Sequence, residues 1–160
     1  MNDNILLREY ISKDCEKIVQ LFYDTIHSVI AADYNENQLE AWAPKIMDKP
    51  LNYWDNRFLQ GGTVIAEKDG VIIGFGTIKP PDYFDMLYVH KEYQRIGVAT
   101  MIANEIEKIL LNNNITTITT EASITAKPFF EKRGYIVLRE QEVEIRGQLL
   151  ANYRMQKTSL

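Results

Sequence analysis

The sequence predicts a single mixed α/β domain with the element order βααβββαβαββ. Three observations carry that prediction. The hydrophobic period switches repeatedly between two and 3.6 along the chain. The length of 160 residues suits one domain; at 18.6 kDa about 70% of the unfolded surface is removed on folding, enough for a core without staples. The composition, 46% apolar and 25% charged, is that of a globular chain and excludes disorder as the main state.

The elements follow in order. Ile5 to Glu9 reads as a first strand. Ser12 is placed to cap a helix in which Cys15, Ile18, Val19, Phe22, Ile26 and Val29 form one apolar face; Cys15 belongs to that buried stripe. Residues 31–60 form a variable segment: Asn35 with Gln38 makes a capping box for a short helix through Trp42, and Pro44 stops it. Pro50 opens another helix with Tyr53, Trp54 and Phe58. Val64–Glu67 and Val71–Ile78 are strands joined by Asp69-Gly70, a two-residue turn that tolerates positive φ. After Pro80-Pro81, Phe84–Val89 is a strand. Val98, Ile102, Ile106, Ile109 and Leu110 then share a helix face, which Asn112-Asn113-Asn114 ends. Ile115–Thr120 is a β-branched strand. A short helix spans about Ala126 to Lys132 and stops at Gly134. Tyr135–Arg146 and Gln148–Met155 pair about Gly147.

Several functional classes are excluded. Eighteen basic against 22 acidic residues give a net charge of −4, which argues against a nucleic-acid or anionic-membrane binder. The single cysteine allows no disulfide framework and points to a reducing, cytoplasmic setting. No apolar run approaches the length of a membrane span, and Met1-Asn2-Asp3-Asn4 has none of the features of a signal peptide. Two histidines and one cysteine are too few for a typical zinc site, so no metal is expected.

The segment Asp85 to Thr100 carries the chemistry. A strand runs into a loop, Gln94-Arg95-Ile96-Gly97-Val98-Ala99, and the loop opens a helix. A helix N-terminus offers unpaired amides and a positive dipole end, which suit an anion. Gly97 and Ala99 leave room for a phosphate against the backbone, and Arg95 adds charge. Neither G-x-G-x-x-G nor a P-loop is present, so a nucleotide-binding module is disfavoured.

This segment resembles motif A of the GNAT superfamily of N-acetyltransferases, (Q/R)-x-x-G-x-(G/A), which Gln94, Gly97 and Ala99 match. Ala126, Phe129, Gly134 and Tyr135 match that superfamily's motif B, about 30 residues further on. The resemblance covers about 62–157, reaches 31–60 only by element order, and is nearest to a little-characterised bacterial branch. It implies a mostly antiparallel sheet of about seven strands, flanked by about four helices, with strands 4 and 5 splayed to hold acetyl-CoA as acetyl donor. It implies one N-acetyltransferase domain over 1–160, with 31–60 as an acceptor-side lid. Leu87, Tyr88 and Val89 then occupy the bulge that binds the pantetheine arm. Gln94, Arg95, Ile96, Gly97, Val98, Ala99 and Thr100 form the pyrophosphate loop, and Ser123, Ala126, Phe129, Phe130 and Lys132 complete the cofactor side. Two departures stand out: Ser123 replaces the motif B asparagine, and Phe130 replaces the tyrosine that protonates the departing thiolate in many relatives.

The implied reaction is direct attack of a primary amine on the thioester. Backbone amides near Leu87 and Val89 would stabilise the developing oxyanion. For the base, Asp85, Glu121 and His27 are the candidates. Strand alternation places Asp85 on the same face as Leu87. Tyr34, Trp42, Tyr53 and Trp54 are candidates to line the site of a small-molecule or peptide amine. A homodimer is compatible with the resemblance. The alternative is a non-catalytic acyl-CoA sensor, which Phe130 favours.

Overall fold

The computed structural model describes residues 4–158. Seven strands, β1 (Ile5–Glu9), β2 (Thr63–Lys68), β3 (Val71–Lys79), β4 (Tyr83–Val89), β5 (Thr117–Ser123), β6 (Ile136–Ile145) and β7 (Gln148–Thr158), form one sheet in the order β1-β2-β3-β4-β5-β7-β6. Every neighbouring pair is antiparallel except β4 with β5. The helices are α1 (Cys15–Ile26), α2 (Glu36–Trp42), α3 (Leu51–Gly61), α4 (Val98–Asn112) and α5 (Lys127–Lys132). One core, built on Ile18, Phe22, Phe58 and Phe75, packs α1 to α3 on one face of the sheet. A second, built on Ile73, Phe84, Ile102 and Ile106, packs α4 and α5 on the other.

The described residues contain five α-helices, one more than the expected order and count of about four, and both helices read from the sequence in 31–60 form. Asn35 Oδ1 accepts from the Gln38 amide at 2.8 Å, and Gln38 Oε1 accepts from the Asn35 amide at 2.9 Å. That reciprocal pair satisfies two donors at the start of α2. Pro50 stands immediately before α3. The Asp69-Gly70 turn has positive φ at both residues, as expected of a two-residue hairpin.

Some boundaries differ from expectation. Ser12 does not cap α1: Ser12–Asp14 form a 3-10 turn and the helix begins at Cys15. The Asp14 carboxylate sets this entry, accepting from the Ile11 amide at 3.0 Å and from both terminal nitrogens of Arg8 at 2.8 and 2.9 Å. Helix α1 ends at Ile26, before Val29. Strand β5 begins at Thr117, because the Ile115 amide still donates to the Leu110 carbonyl and closes α4.

Two close fits fix the helices that matter for function. The Glu107 carboxylate on α4 receives Arg133 at 2.8 Å, Tyr135 at 2.9 Å and Lys157 at 3.1 Å, which ties α4 to α5 and β7. Burial alone would raise this carboxyl, but those three donors outweigh it and hold it below its usual range. At the other face, the last residue of α3 is Gly61, where an added Cβ would overlap the Ile78 carbonyl on β3. Gly61→Ala is therefore expected to lower stability by about 1–3 kcal/mol, since a backbone atom cannot turn aside as a side chain can. A calorimetric melt checks this, and an unchanged melting temperature would contradict the packing.

Candidate active site

Strands β4 and β5 are joined only at Tyr83–Thr119 and Phe84–Thr120. The Thr120 hydroxyl donates to the Phe84 carbonyl at 2.7 Å and closes this pair. Beyond it the strands part, while β4 stays bonded to β3 and β5 to β7. The His90 amide donates to the Ile73 carbonyl at 2.8 Å. Antiparallel ladders alternate, so Tyr88 and Met86 also turn their amides toward β3, and those of Leu87 and Val89 face the gap. The cleft there has a volume of about 70 Å³ and is walled by Phe84, Leu87, Ala122, Ser123, Ala126 and Phe130.

A register shift interrupts β4. Thr77 opposes Met86 and Ile78 opposes Phe84, which leaves Asp85 as an extra residue. This overturns the expectation that Asp85 and Leu87 share a face. Leu87 packs against the α4-side core, whereas Asp85 reaches the other face and meets Arg57 of α3 at 2.8 Å.

At the end of β4 the chain turns through 90–97 into α4. Gln94 Nε2 donates to the Val89 carbonyl at 2.6 Å and braces the turn. Arg95 has φ 64° and Gly97 φ 92°, both left-handed. The first helical bond runs from the Met101 amide to the Gly97 carbonyl at 3.0 Å. The amides of Val98, Ala99 and Thr100 thus precede any intrahelical partner, and no side chain caps them. Arg95 and Thr100 are exposed, Ile96 is half-buried and Val98 is buried. The loop is a set of aimed donors at the positive end of a 15-residue helix.

On the α1–α3 face a cavity of about 430 Å³ adjoins the cleft and shares Trp42, Asp85, Tyr88, Glu121 and Ser123 with it. Its aromatic walls include Tyr34, Trp42, Tyr53 and Trp54, and β6 and β7 close the far side with Val143, Ile145 and Leu150. Glu121 accepts from the Tyr83 hydroxyl at 3.0 Å and from the Gln141 amide, with Arg154 at 3.9 Å. Burial, and then the Glu121 charge, push the Tyr83 hydroxyl up, so it stays protonated as a donor. Burial followed by Asp85 does the same for Tyr88. Two side-chain atoms in these walls, Trp54 Nε1 and Asn152 Oδ1, are buried without a partner. Such atoms cost about 1–3 kcal/mol each.

The description "Acetyltransferase (GNAT) domain" matches residues 30–157 of this chain. The chain belongs to the GNAT acetyltransferase family. It is 31% identical, over 96% of its length and 95% of the relative's, to a protein described as "Uncharacterized N-acetyltransferase YafP" from Escherichia coli K12. It superposes with a TM-score of 0.92 and 36% identity on a crystal structure from Rhodopseudomonas palustris, described as "GCN5-Related N-acetyltransferase: Aminotransferase, Class-II", covering 98% and 96% of the two chains. The PaiA N-acetyltransferase of Thermoplasma acidophilum, solved with coenzyme A, shares the fold at TM-score 0.77 and 18% identity, with 96% and 98% of the chains covered. The fold expectation is thereby met: a single GNAT α/β domain, and an N-acetyltransferase.

Within this GNAT domain the expected residues separate into groups. Asp85 and Glu121 line both the cavity and the cleft, and Tyr34, Trp42 and Trp54 stand in the cavity wall. The Tyr34 hydroxyl also accepts from the Ile124 amide at 3.0 Å and donates to the Ala151 carbonyl at 2.6 Å, which clamps the end of β5 to β7. Burial raises that hydroxyl, against the opposing Ile124 amide. Ser123 Oγ accepts from the Ala126 amide at 3.0 Å, leaving its proton free to donate. Phe130 is buried between Phe84 and Tyr135, with ring centroids 5.4 and 5.0 Å away. Phe129 lies under the Arg133 guanidinium, and Lys132 is exposed.

His27 is not brought to this cavity. It follows the last residue of α1, its Nε2 bonds the Ala43 carbonyl at 2.7 Å, and it lines a separate hollow with Asp24, His90 and Lys91. Arg57, Tyr83, Gln141 and Arg154 escaped the sequence reading. Of these only Arg57 carried a local signal, lying one helical turn from Tyr53 and Trp54 on the same helix. Among the described residues no group of three His, Cys, Asp or Glu is placed to hold a metal, and no helix is long and apolar enough to cross a membrane.

Proposed function

We propose that this chain moves the acetyl group of acetyl-CoA to a primary amine by direct attack in a ternary complex. One observation carries the reading: the β4–β5 cleft adjoins a cavity holding two carboxylates, and the strand that walls it, β4, runs on into the loop before α4, whose amides at 98–100 have no intrahelical partner. An extended thioester with a pyrophosphate at one end fits that shape. The amides of Val98, Ala99 and Thr100 would hold the pyrophosphate, and Leu87, Val89 and Ser123 would line the pantetheine arm. The cavity would then hold the amine, with 31–60 as its wall within one domain over 1–160. A lone, buried, free Cys15 thiol suits a cytoplasmic enzyme.

The chemistry follows from these positions. The amine nitrogen bonds to the thioester carbon, the carbon–sulfur bond breaks, and the nitrogen's proton passes to a carboxylate. Asp85 is the first choice for that carboxylate and Glu121 the second. The Leu87 and Val89 amides would stabilise charge on the carbonyl oxygen. Phe130 has no proton to give, so the sulfur leaves as the thiolate, which the free Ser123 hydroxyl proton could stabilise by a hydrogen bond. The reading is tested by thiol release from acetyl-CoA over a panel of primary amines. Binding without release by any amine would favour instead an acyl-CoA sensor, the reading that Phe130 supports.

Phe130→Tyr is expected to keep or raise the rate, because Phe130 lines the cleft and the added hydroxyl is the proton donor that many relatives carry there. A large loss of activity at unchanged melting temperature would break the motif B alignment.

A further inference from the structure

We infer that the acceptor carries an anionic group, set about one aromatic ring's length from its reacting amine. This rests on the acetyl-transfer reading above. The charges lining the cavity are Lys49, Arg57 and Arg146 against Asp85 and Glu121. Arg57 is matched by Asp85 at 2.8 Å, and Glu121 by Arg154 at 3.9 Å. Arg146 is locked by Asp48 at 2.8 Å and by the Ala41 carbonyl at 2.7 Å. Among the described residues Lys49 has no carboxylate partner; its ammonium stands 5.3 Å from the centre of the Tyr53 ring. Lys49 is thus the one cation of this cavity with no carboxylate in contact; the nearby Asp48 is held by Arg146. A polyamine would need the opposite, a surplus of carboxylates to hold its second ammonium, and both carboxylates here are already paired.

The helix sets the spacing. Arg57 anchors Asp85, where the amine loses its proton, and Tyr53 underlies Lys49. Four residues of α3 separate Tyr53 from Arg57, a rise of about 6 Å. That distance spans a ring, whereas the amine and carboxylate of an α-amino acid are much closer. Tyr53 and Trp54, with ring planes at 85°, supply apolar surface between the two positions.

The test compares 4-(aminomethyl)benzoate with its neutral amide, 4-(aminomethyl)benzamide. Trp42 and Trp54 are the two tryptophans of the chain and both line the cavity, so fluorescence in the presence of coenzyme A reports occupancy without turnover. The benzoate is expected to bind about three- to fivefold more tightly, the range of a solvent-facing ion pair. In Lys49→Gln the preference should vanish, and in Lys49→Glu it should reverse. Lys49 is exposed, so neither change threatens the fold. Equal binding of the two probes, a preference that survives Lys49→Gln, or no response to either overturns the inference. Thiol release is read separately with the same probes: probes that bind with the stated preference but never release thiol would count against acetyl transfer alone.

Discussion

Asp85→Asn is expected to lower kcat by roughly 10²–10⁴, the range of a lost general base, with coenzyme A binding unchanged. Asp85 is the residue that the β4 bulge turns out of the sheet alternation, and it stands where the cleft meets the cavity. Arg57 at 2.8 Å holds the carboxylate in one position. The asparagine keeps size and polarity but cannot take up the proton of the attacking amine. In wild type the rate should fall on the acidic side as the carboxylate protonates, and that limb should be missing from the residual activity of the variant.

Two companions sharpen the result. Glu121→Gln should cost less, because Glu121 already serves as acceptor for Tyr83 and Gln141. His27→Gln should change the rate by no more than a few-fold, since its ring faces a different hollow. A pH–rate profile of the three variants decides between them. An acidic limb and a rate that persist in Asp85→Asn and Glu121→Gln would mean that water carries the proton and that neither carboxylate is the base.

The parts of this molecule that could be read from the sequence are those whose physics is local. The Asn35–Gln38 box lies within one helical turn, and the Asp69-Gly70 turn is chosen by two residues. The 94–97 loop needs only a strand, a glycine and a helix in succession. What could not be read depends on pairing across the sheet. Arg57 and Asp85 are 28 residues apart, and Gln141 meets Glu121 across 20. No period or cap announces either contact. The Asp85 bulge was missed because alternation assumes an uninterrupted strand, and one extra residue reverses every face beyond it. His27 is a candidate base by residue type, but α1 ends just before it and the chain turns the ring toward Ala43.

Gly97→Asp is expected to lower coenzyme A affinity by at least about 100-fold while leaving the protein folded. Both halves follow from the same position. Gly97 is the N-cap of α4, at φ 92° and ψ 8°. Aspartate is one of the few non-glycine residues that adopt a left-handed backbone at modest cost, so the helix still starts at 98. The phosphate is excluded, because the new carboxylate stands beside the amides that would hold it and repels the incoming charge. At ~4 Å and an effective dielectric constant near 20 that repulsion is about 4 kcal/mol per charge pair, more than the hundredfold loss requires. Gly97→Asn separates charge from shape: it has the same backbone demand and nearly the same volume, and should lose far less affinity. Calorimetric titration with coenzyme A, alongside melting temperatures for both variants, measures each half. A folded Gly97→Asp protein that binds as tightly as wild type would remove the pyrophosphate from the start of α4.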